Sequence, residues 1–369
     1  MKYQIMRKLT AIAVLGFMLI SLIACNQSKQ VKTPASEGVE VSGDVQTTNA
    51  PKETIPPVIP EGEGPFARHG ALRVDGTKLI DSNDLPFQLM GMSTHGIAWF
   101  PDYVNYDAFK TLRDDWNTNC IRIAMYTDES GGYCRPFINQ EKLKKLIRNG
   151  VDYATELGMY VIIDWHVLND EDPNLYKEEA IAFFDEMSKL YSDRDNVIYE
   201  ICNEPCKSAT WDGVKRYAEE VIPVIRKNAE NAVIIVGTTN WSQDIDKAAI
   251  SPLEYNNVMY ALHFYAATHT DWLRQRLQDG IASGLPVFVS EFGMCDASGN
   301  GGNNFDEATK WLTLLDDNSI SYICWNLANK DEASSVIAPD SMKTSDWEEK
   351  DLSESGQWIR NWFRVKANP

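Results

Sequence analysis

Histidine is scarce in this 369-residue chain, with only five, and none of them stands in an HxH or HExxH pattern. No pair of the seven cysteines has CxxC spacing, so a dedicated metal centre is not expected and no cofactor is called for. No glycine-rich phosphate fingerprint follows the first strand-like run, which removes the usual motive for a dinucleotide-binding sheet. Positive charge is also short: 35 Lys and Arg face 53 Asp and Glu, a formal charge of −18. Nucleic acid and other polyanions are therefore poor partners. Long apolar runs are missing as well. The longest, Ala11 to Ile23, is broken by Gly16 and Ser21 and preceded by Lys2, Arg7 and Lys8. It is too short for a stable membrane span and reads as a secretory signal over residues 1–24.

The signal ends Leu22-Ile23-Ala24-Cys25. An aliphatic residue, a small residue and cysteine straight after the apolar core resemble the bacterial lipoprotein box, which implies a lipidated Cys25 and a protein held outside the cell on its membrane; ordinary cleavage and secretion is the alternative. Residues 25–64 close on "PKETIPPVIPEGEG" and show no apolar periodicity, as expected of a flexible tether. Loss of the signal removes three cations and no acid, taking −18 to −21. Such charge suits a neutral substrate, and solubility outside the cell explains it equally well. Cys120, Cys202 and Cys324 lie in apolar runs where a thiol simply packs. Export permits disulfides among the six cysteines after Cys25, but their spacing assigns none.

Residues 65–369 read as one domain, with a monomer expected. After a hairpin in "LRVDGTKLI", with Asp75-Gly76 as its turn, eight strand-like runs recur at nearly even intervals: 87–93, 120–126, 160–166, 197–204, 232–239, 258–265, 287–293 and 322–328. Amphipathic stretches such as Gln140–Leu157 and Trp211–Asn228 separate them. Strands alternating with helices imply a parallel sheet, and eight such units imply a closed (β/α)8 TIM barrel within the α/β class; an open doubly wound sheet is the alternative. In a barrel the functional residues gather at the carboxyl ends of the strands. His95, Arg122, Tyr126, His166, Asn203, Glu204, His263, Tyr265, Glu291 and Trp325 then share one mouth. Glu204 and Glu291, from strands four and seven, supply the carboxylate pair that glycosidic cleavage with retention requires, about 5–5.5 Å apart.

With "NEP" closing strand four and "SEFG" closing strand seven, the chain resembles glycoside hydrolase family 5, in particular its bacterial endo-β-1,4-glucanase branch. "GMSTHGIAWF", "IRIAMY", "IIDWH", "EICNEP", "TTNWSQD", "ALHFYAATH", "VFVSEFG" and "CWNLANKDEASSVI" occur in family order across residues 66–365. The resemblance implies a β-glucan polysaccharide as substrate, Glu204 as acid/base and Glu291 as nucleophile. Glu204 would owe a raised pKa to the charge of Glu291, and Arg122 with the Tyr265 hydroxyl would keep Glu291 ionised. Asn203 would bond the sugar 2-hydroxyl, while His166 and His263 would bond sugar or carboxylate. Trp99 and Trp325 would stack pyranose rings, Trp241 would extend that platform, and His95, Tyr126, Lys330 and Glu332 would line the groove. Residue by residue, plainer roles compete: Trp165, Trp311, Trp358 and Trp362 as core, His69 and His269 as solvated loop residues, Glu200 as structural, Arg122 as an ion-pair partner for a helix. β-Mannan, xyloglucan or mixed-linkage glucan are alternative substrates; a metal-dependent barrel hydrolase and a non-catalytic glycan binder are the alternatives outside this class.

Overall fold

The computed structural model describes residues 64–367, so the expected signal segment, Cys25 and all of the tether but Gly64 lie outside the described residues. A short helix, Pro65–His69, leads into an antiparallel hairpin of β1 (Arg73–Asp75) and β2 (Lys78–Ile80). Asp75 pairs with Lys78, so the turn residues are Gly76 and Thr77, one place later than expected. The reason is the backbone at Gly76, whose φ of +59° a residue without Cβ adopts freely.

Eight parallel strands then close a barrel: β3 (Met90–Thr94), β4 (Cys120–Tyr126), β5 (Tyr160–His166), β6 (Val197–Glu200), β7 (Ile234–Gly237), β8 (Val258–Tyr265), β9 (Val287–Gly293) and β10 (Tyr322–Leu327). Each pairs with the next, and β10 pairs with β3. The predicted (β/α)8 architecture is therefore the one found. Helices start where polar side chains can cap them: Asn105, Asn139, Thr210 and Asn304 each accept a hydrogen bond from a backbone N–H three residues on, worth about 1 kcal/mol apiece. Trp211–Asn228 is helical as expected, and Gln140–Glu156 ends one residue early. Among the described residues no helix is long and apolar enough to cross a membrane.

Strand four is shorter than its sequence suggested, ending at Glu200 instead of Glu204. Beyond that point the chain leaves the regular ladder but stays anchored, with Ile201 N–H donating to Ile235, Asn203 N–H to Trp165 and Glu204 N–H to Val167 carbonyl oxygens. β9 carries one extra residue against both neighbours: Ala261 and His263 on β8 face Phe288 and Glu291, and Tyr322 and Cys324 on β10 face Val289 and Phe292. This bulge changes which side chains of β9 point inward.

The inward positions alternate along each strand, and they stack in layers. The lowest is apolar, with Cys120, Ile162, Ile198, Ile235, Ala261, Phe288 and Ile323 packed with Leu72, Leu79 and Leu89 from the segment that crosses the barrel floor. Two residues higher on the same strands stand Arg122, Asp164, Glu200, His263 and Ser290, all buried. Higher again come Ala124, Tyr126, His166, Tyr265 and Trp325. Outside the barrel, helices cover the strands with a larger core containing Phe109, Trp116, Trp165, Phe183 and Trp311. Trp165 and Trp311 are core residues as read, while Trp358 and Trp362 are half-buried and stack on each other against that core.

Candidate active site

At the centre of the barrel lies Arg122, fully buried among carboxylates. Its Nε donates to Glu200 Oε2 at 2.6 Å, Nη2 to Asn203 Oδ1 at 2.7 Å, and Nη1 to Glu291 Oε2 at 3.3 Å. Nη2 also stands 3.0 Å from Asp164 Oδ2. All of these partners are at the carboxyl ends of barrel strands, so Arg122 does not serve a helix. A buried guanidinium needs such pairing, because burial opposes its charge while Asp164, Glu200 and Glu291 favour it.

Two carboxyl groups rise from this layer into an open cleft. Oxygens of Glu204 and Glu291 and a ring nitrogen of His263 all lie within 4.8 Å of one another. The partners of the two acids differ. Glu291 accepts from the Tyr265 hydroxyl at 2.8 Å and from Arg122. Among the described residues the Glu204 carboxyl is hydrogen-bonded to His263 Nδ1 alone, at 2.9 Å. The other His263 nitrogen, Nε2, is 2.9 Å from Ser290 Oγ, and Ser290 donates to Glu200 Oε1 at 2.6 Å. Burial holds the His263 pKa down to about 4, so near neutral pH the ring is uncharged. Since the Ser290 proton is directed at Glu200, its oxygen accepts from His263 Nε2–H. That leaves Nδ1 as an acceptor, and Glu204 must donate to it. The chain Glu200–Ser290–His263 thus favours a protonated Glu204.

Electrostatics agree. Burial pushes the Glu204 carboxyl up to about 7, with Asp164 and Glu200 adding to the rise and Arg122 opposing it. Desolvation in the barrel mouth, and not the expected charge of Glu291, is the leading cause. Burial and then the nearby Glu204 raise Glu291 too, while His263 and Arg122 pull it back. Its ionised form therefore depends on its two donors. The Tyr265 hydroxyl, with its pKa driven well up by burial and by Glu291, keeps its proton to give.

The cleft above these groups has a volume of about 730 Å³. His95, Trp99, Tyr126, His166, Trp241, His263, Tyr265, Trp325, Lys330 and Glu332 all line it beside the two glutamates, as their sequence positions implied. Trp325 stacks its ring on His166 at 5.2 Å, and Trp99 leans on Tyr126 at 4.7 Å while its Nε1–H donates to the Ser130 carbonyl. Glu332 bridges Lys330 at 2.5 Å and His95 at 3.7 Å. Trp241 sits in a turn where Asn240, Trp241 and Ser242 all have positive φ, between 53° and 58°. Three consecutive left-handed non-glycine residues cost roughly 1–2 kcal/mol each, and the result is an indole held at the rim.

Asn203 does not line the cleft. Its carbonyl accepts from Arg122, and its amide is engaged by His166 Nε2 at 3.2 Å and the Val167 carbonyl at 3.2 Å. Asn203 thus joins Arg122 to His166, and the remaining lone pair of its Oδ1 is the group left for the 2-hydroxyl contact expected of it. His166 is fixed from its other side by Asp164, 2.6 Å from Nδ1. Glu200, read as merely structural, belongs to the network. His269, read as a solvated loop residue, is buried, lines the cleft and accepts from Tyr265 N–H at 2.8 Å. His69 pairs with Asp81 at 2.7 Å and stacks on Phe87. Asp164 could have been found from its spacing, two residues before His166 on one strand face. Ser290 could not, because only the β9 bulge brings it and the adjacent Glu291 into one barrel interior. Also unforeseen are Glu129, raised to about 7 by burial on the cleft wall, and the Ala297–Gly299 segment of the rim. No cysteine among the described residues forms a disulfide.

Two carboxyl groups at this separation, one with a proton to donate and one held by cationic and hydroxyl donors, can carry out a double displacement; an inverting reaction needs about 6.5–9.5 Å to admit a water between them. Comparison with known proteins points the same way. The chain is 50% identical over 293 residues to endoglucanase A of Butyrivibrio fibrisolvens, covering 79% of this chain and 68% of that protein. It is 48% identical over 292 residues to an endoglucanase of Clostridium saccharobutylicum, covering 79% and 64%. The catalytic domain of Thermobifida fusca endoglucanase Cel5A, solved with cellotetraose, is 37% identical with a TM-score of 0.78, covering 82% of this chain and all (100%) of that one. With residues 80–331 matching the family description "Cellulase (glycosyl hydrolase family 5)", the chain belongs to that cellulase family.

Proposed function

We propose that this domain is a retaining endo-1,4-β-glucanase in which Glu291 attacks the anomeric carbon and Glu204 gives, then recovers, a proton. It hydrolyses internal β-1,4-glucosidic bonds of cellulose and related β-glucans. The observation that carries the assignment is the direction of the hydrogen-bond chain at Glu204. In the first step a Glu291 oxygen bonds to the anomeric carbon, the bond to the leaving sugar breaks, and that sugar's oxygen takes the Glu204 proton. Glu291 is then an uncharged ester, which removes one negative charge beside Glu204 and favours its ionised form. In the second step a water loses a proton to Glu204 and attacks the same carbon, breaking the ester and restoring the original configuration. Trp99, Trp325 and Trp241 supply flat faces for pyranose rings, and His95, Lys330 and Glu332 supply hydroxyl partners. The cellotetraose in the Thermobifida fusca relative supports unsubstituted β-1,4-glucan as the preferred chain.

Azide separates the two glutamates. With Glu204→Ala and an aryl β-cellobioside whose leaving group departs without protonation, Glu291 still forms the ester, and azide entering the vacated space yields the β-glycosyl azide. With Glu291→Ala, azide itself displaces the leaving group and yields the α product. The anomeric coupling in a proton NMR spectrum reads the outcome. An α-azide from Glu204→Ala means the two roles are exchanged.

We further propose that Cys25 is lipidated and holds the domain outside the cell on its membrane, a reading supported by the Leu22-Ile23-Ala24-Cys25 sequence. Cys25→Ala should then release the protein to the medium, and a wild type found wholly in culture fluid overturns the reading. A monomer is the state we propose, since the described residues of a single chain already bring both glutamates and their cleft together.

A further inference from the structure

Three tryptophans are strongly exposed among the described residues: Trp99 at 40%, Trp241 at 38% and Trp272 at 47%. The first two line the cleft. The third does not, yet it is braced like a working side chain. Trp272 opens the helix Asp271–Ala282, and the Arg276 guanidinium, one turn on, lies 5.5 Å from its ring centroid. Arg276 is itself tied to the segment after Trp241: Nη1 donates to the Gln243 carbonyl at 3.0 Å and to Asp244 Oδ1 at 3.0 Å, and Nε is 3.5 Å from Asp246. On its other side Trp272 meets the edge of His269 at 5.8 Å. Gln243 and His269 are both part of the cleft wall. One arginine thus couples the strained turn presenting Trp241 to the ring of Trp272, and two residues of the cleft wall, Gln243 and His269, connect the cleft with that ring through Arg276 and by direct contact.

We propose that Trp272 forms an outer sugar-binding subsite, stacking a glucosyl unit of the β-1,4-glucan chain where it leaves the cleft past Trp241. The chemistry fits that occupant. A pyranose offers an apolar C–H face that an indole covers, and a ring already fixed by a cation and a histidine edge loses little freedom on binding. Arg276 keeps its Nη2 donors for sugar hydroxyls, since Gln243 and Asp244 engage Nη1 and Asp246 lies beside Nε. A neutral polymer is also the occupant that the strongly acidic chain admits most readily. Trp272 lies beyond the reacting groups, so it acts only on chains long enough to reach it.

That length dependence is the test, and it rests on the β-1,4-glucan reading. For Trp272→Ala and wild type, kcat/KM is measured along cellotriose, cellotetraose, cellopentaose and cellohexaose. The ratio of cellohexaose to cellotriose should fall about fivefold or more in the variant, the worth of one aromatic stack, with the change in KM. Trp272→Tyr should recover most of it. A variant whose loss is the same at every length, or which shows none, overturns the subsite. If neither protein cuts any oligosaccharide of the ladder, the substrate reading itself fails, which is a different result.

Discussion

Removing one hydroxyl should move the pH profile of this enzyme without touching its substrate. In Ser290→Ala the His263 Nε2–H loses its acceptor, and with it the preference for the tautomer whose Nδ1 accepts from Glu204. The ring is then free to place its proton on Nδ1 and donate to the Glu204 carboxylate, which stabilises the charged form. One hydrogen bond is worth about 1 kcal/mol net, and a pKa unit corresponds to about 1.36 kcal/mol, so the Glu204 pKa should fall by somewhat less than one unit. Glu204 must be protonated to start the reaction, so activity is lost as pH rises through its pKa of about 7. The alkaline limb of kcat/KM should therefore move to lower pH in the variant, from about 7 towards about 6. Cellotetraose is the substrate to use, because its leaving sugar needs the proton. An alkaline limb that stays in place or moves upward refutes the tautomer argument.

Two other outcomes follow from the geometry of the barrel and its mouth. At Gly237 a Cβ would lie 2.2 Å from the Cys202 carbonyl oxygen and 2.7 Å from that of Asn203, so Gly237→Ala should lower stability by about 1–3 kcal/mol and, by displacing Glu204, cut kcat by a factor of ten or more; thermal unfolding and initial rates check both, and an unchanged kcat contradicts the account. Glu204, His263 and Glu291 also offer three ligand atoms that suit Zn²⁺. Zinc should inhibit in competition with substrate, more strongly above the Glu204 pKa than below it because the ion replaces a proton, and EDTA should reverse the inhibition; pH-independent inhibition in rate titrations counts against this.

The barrel was readable because its signal is repeated: eight apolar runs with polar residues at their ends point to one architecture even where single boundaries shift. Strand four shows what repetition hides. Apolar Ile201 and Cys202 continue the pattern of Val197 and Ile198, but Asn203 turns to Arg122 and His166 and Glu204 to the cleft, so the regular ladder ends at Glu200 while single bonds from Ile201 and to Cys202 persist. Glu200 looked structural because its role depends on Arg122, 78 residues earlier, and Ser290, 90 residues later. Ser290 and Glu291 should face opposite ways in a regular strand, and only the bulge, which leaves no mark in composition, gives them a common side. His269 was misjudged for a similar reason. Its neighbours Thr268 and Thr270 are polar, while the contacts that bury it come from Trp272 and from Trp311, whose Nε1–H donates to the His269 carbonyl.

The apolar floor beneath Arg122 has a consequence for the traffic of protons. Leu72, Leu79, Leu89 and the inward residues of the lowest layer seal the barrel at one end, so the acids, histidines and serine above them meet water only through the mouth. A glucan chain lying across Trp325 and Tyr126 would cover part of that mouth. While it is there, the network should exchange protons with bulk solvent more slowly than in the empty cleft. The proton surrendered to the leaving sugar is restored by the water that enters once that sugar has gone, so one catalytic cycle leaves the proton count of the network unchanged.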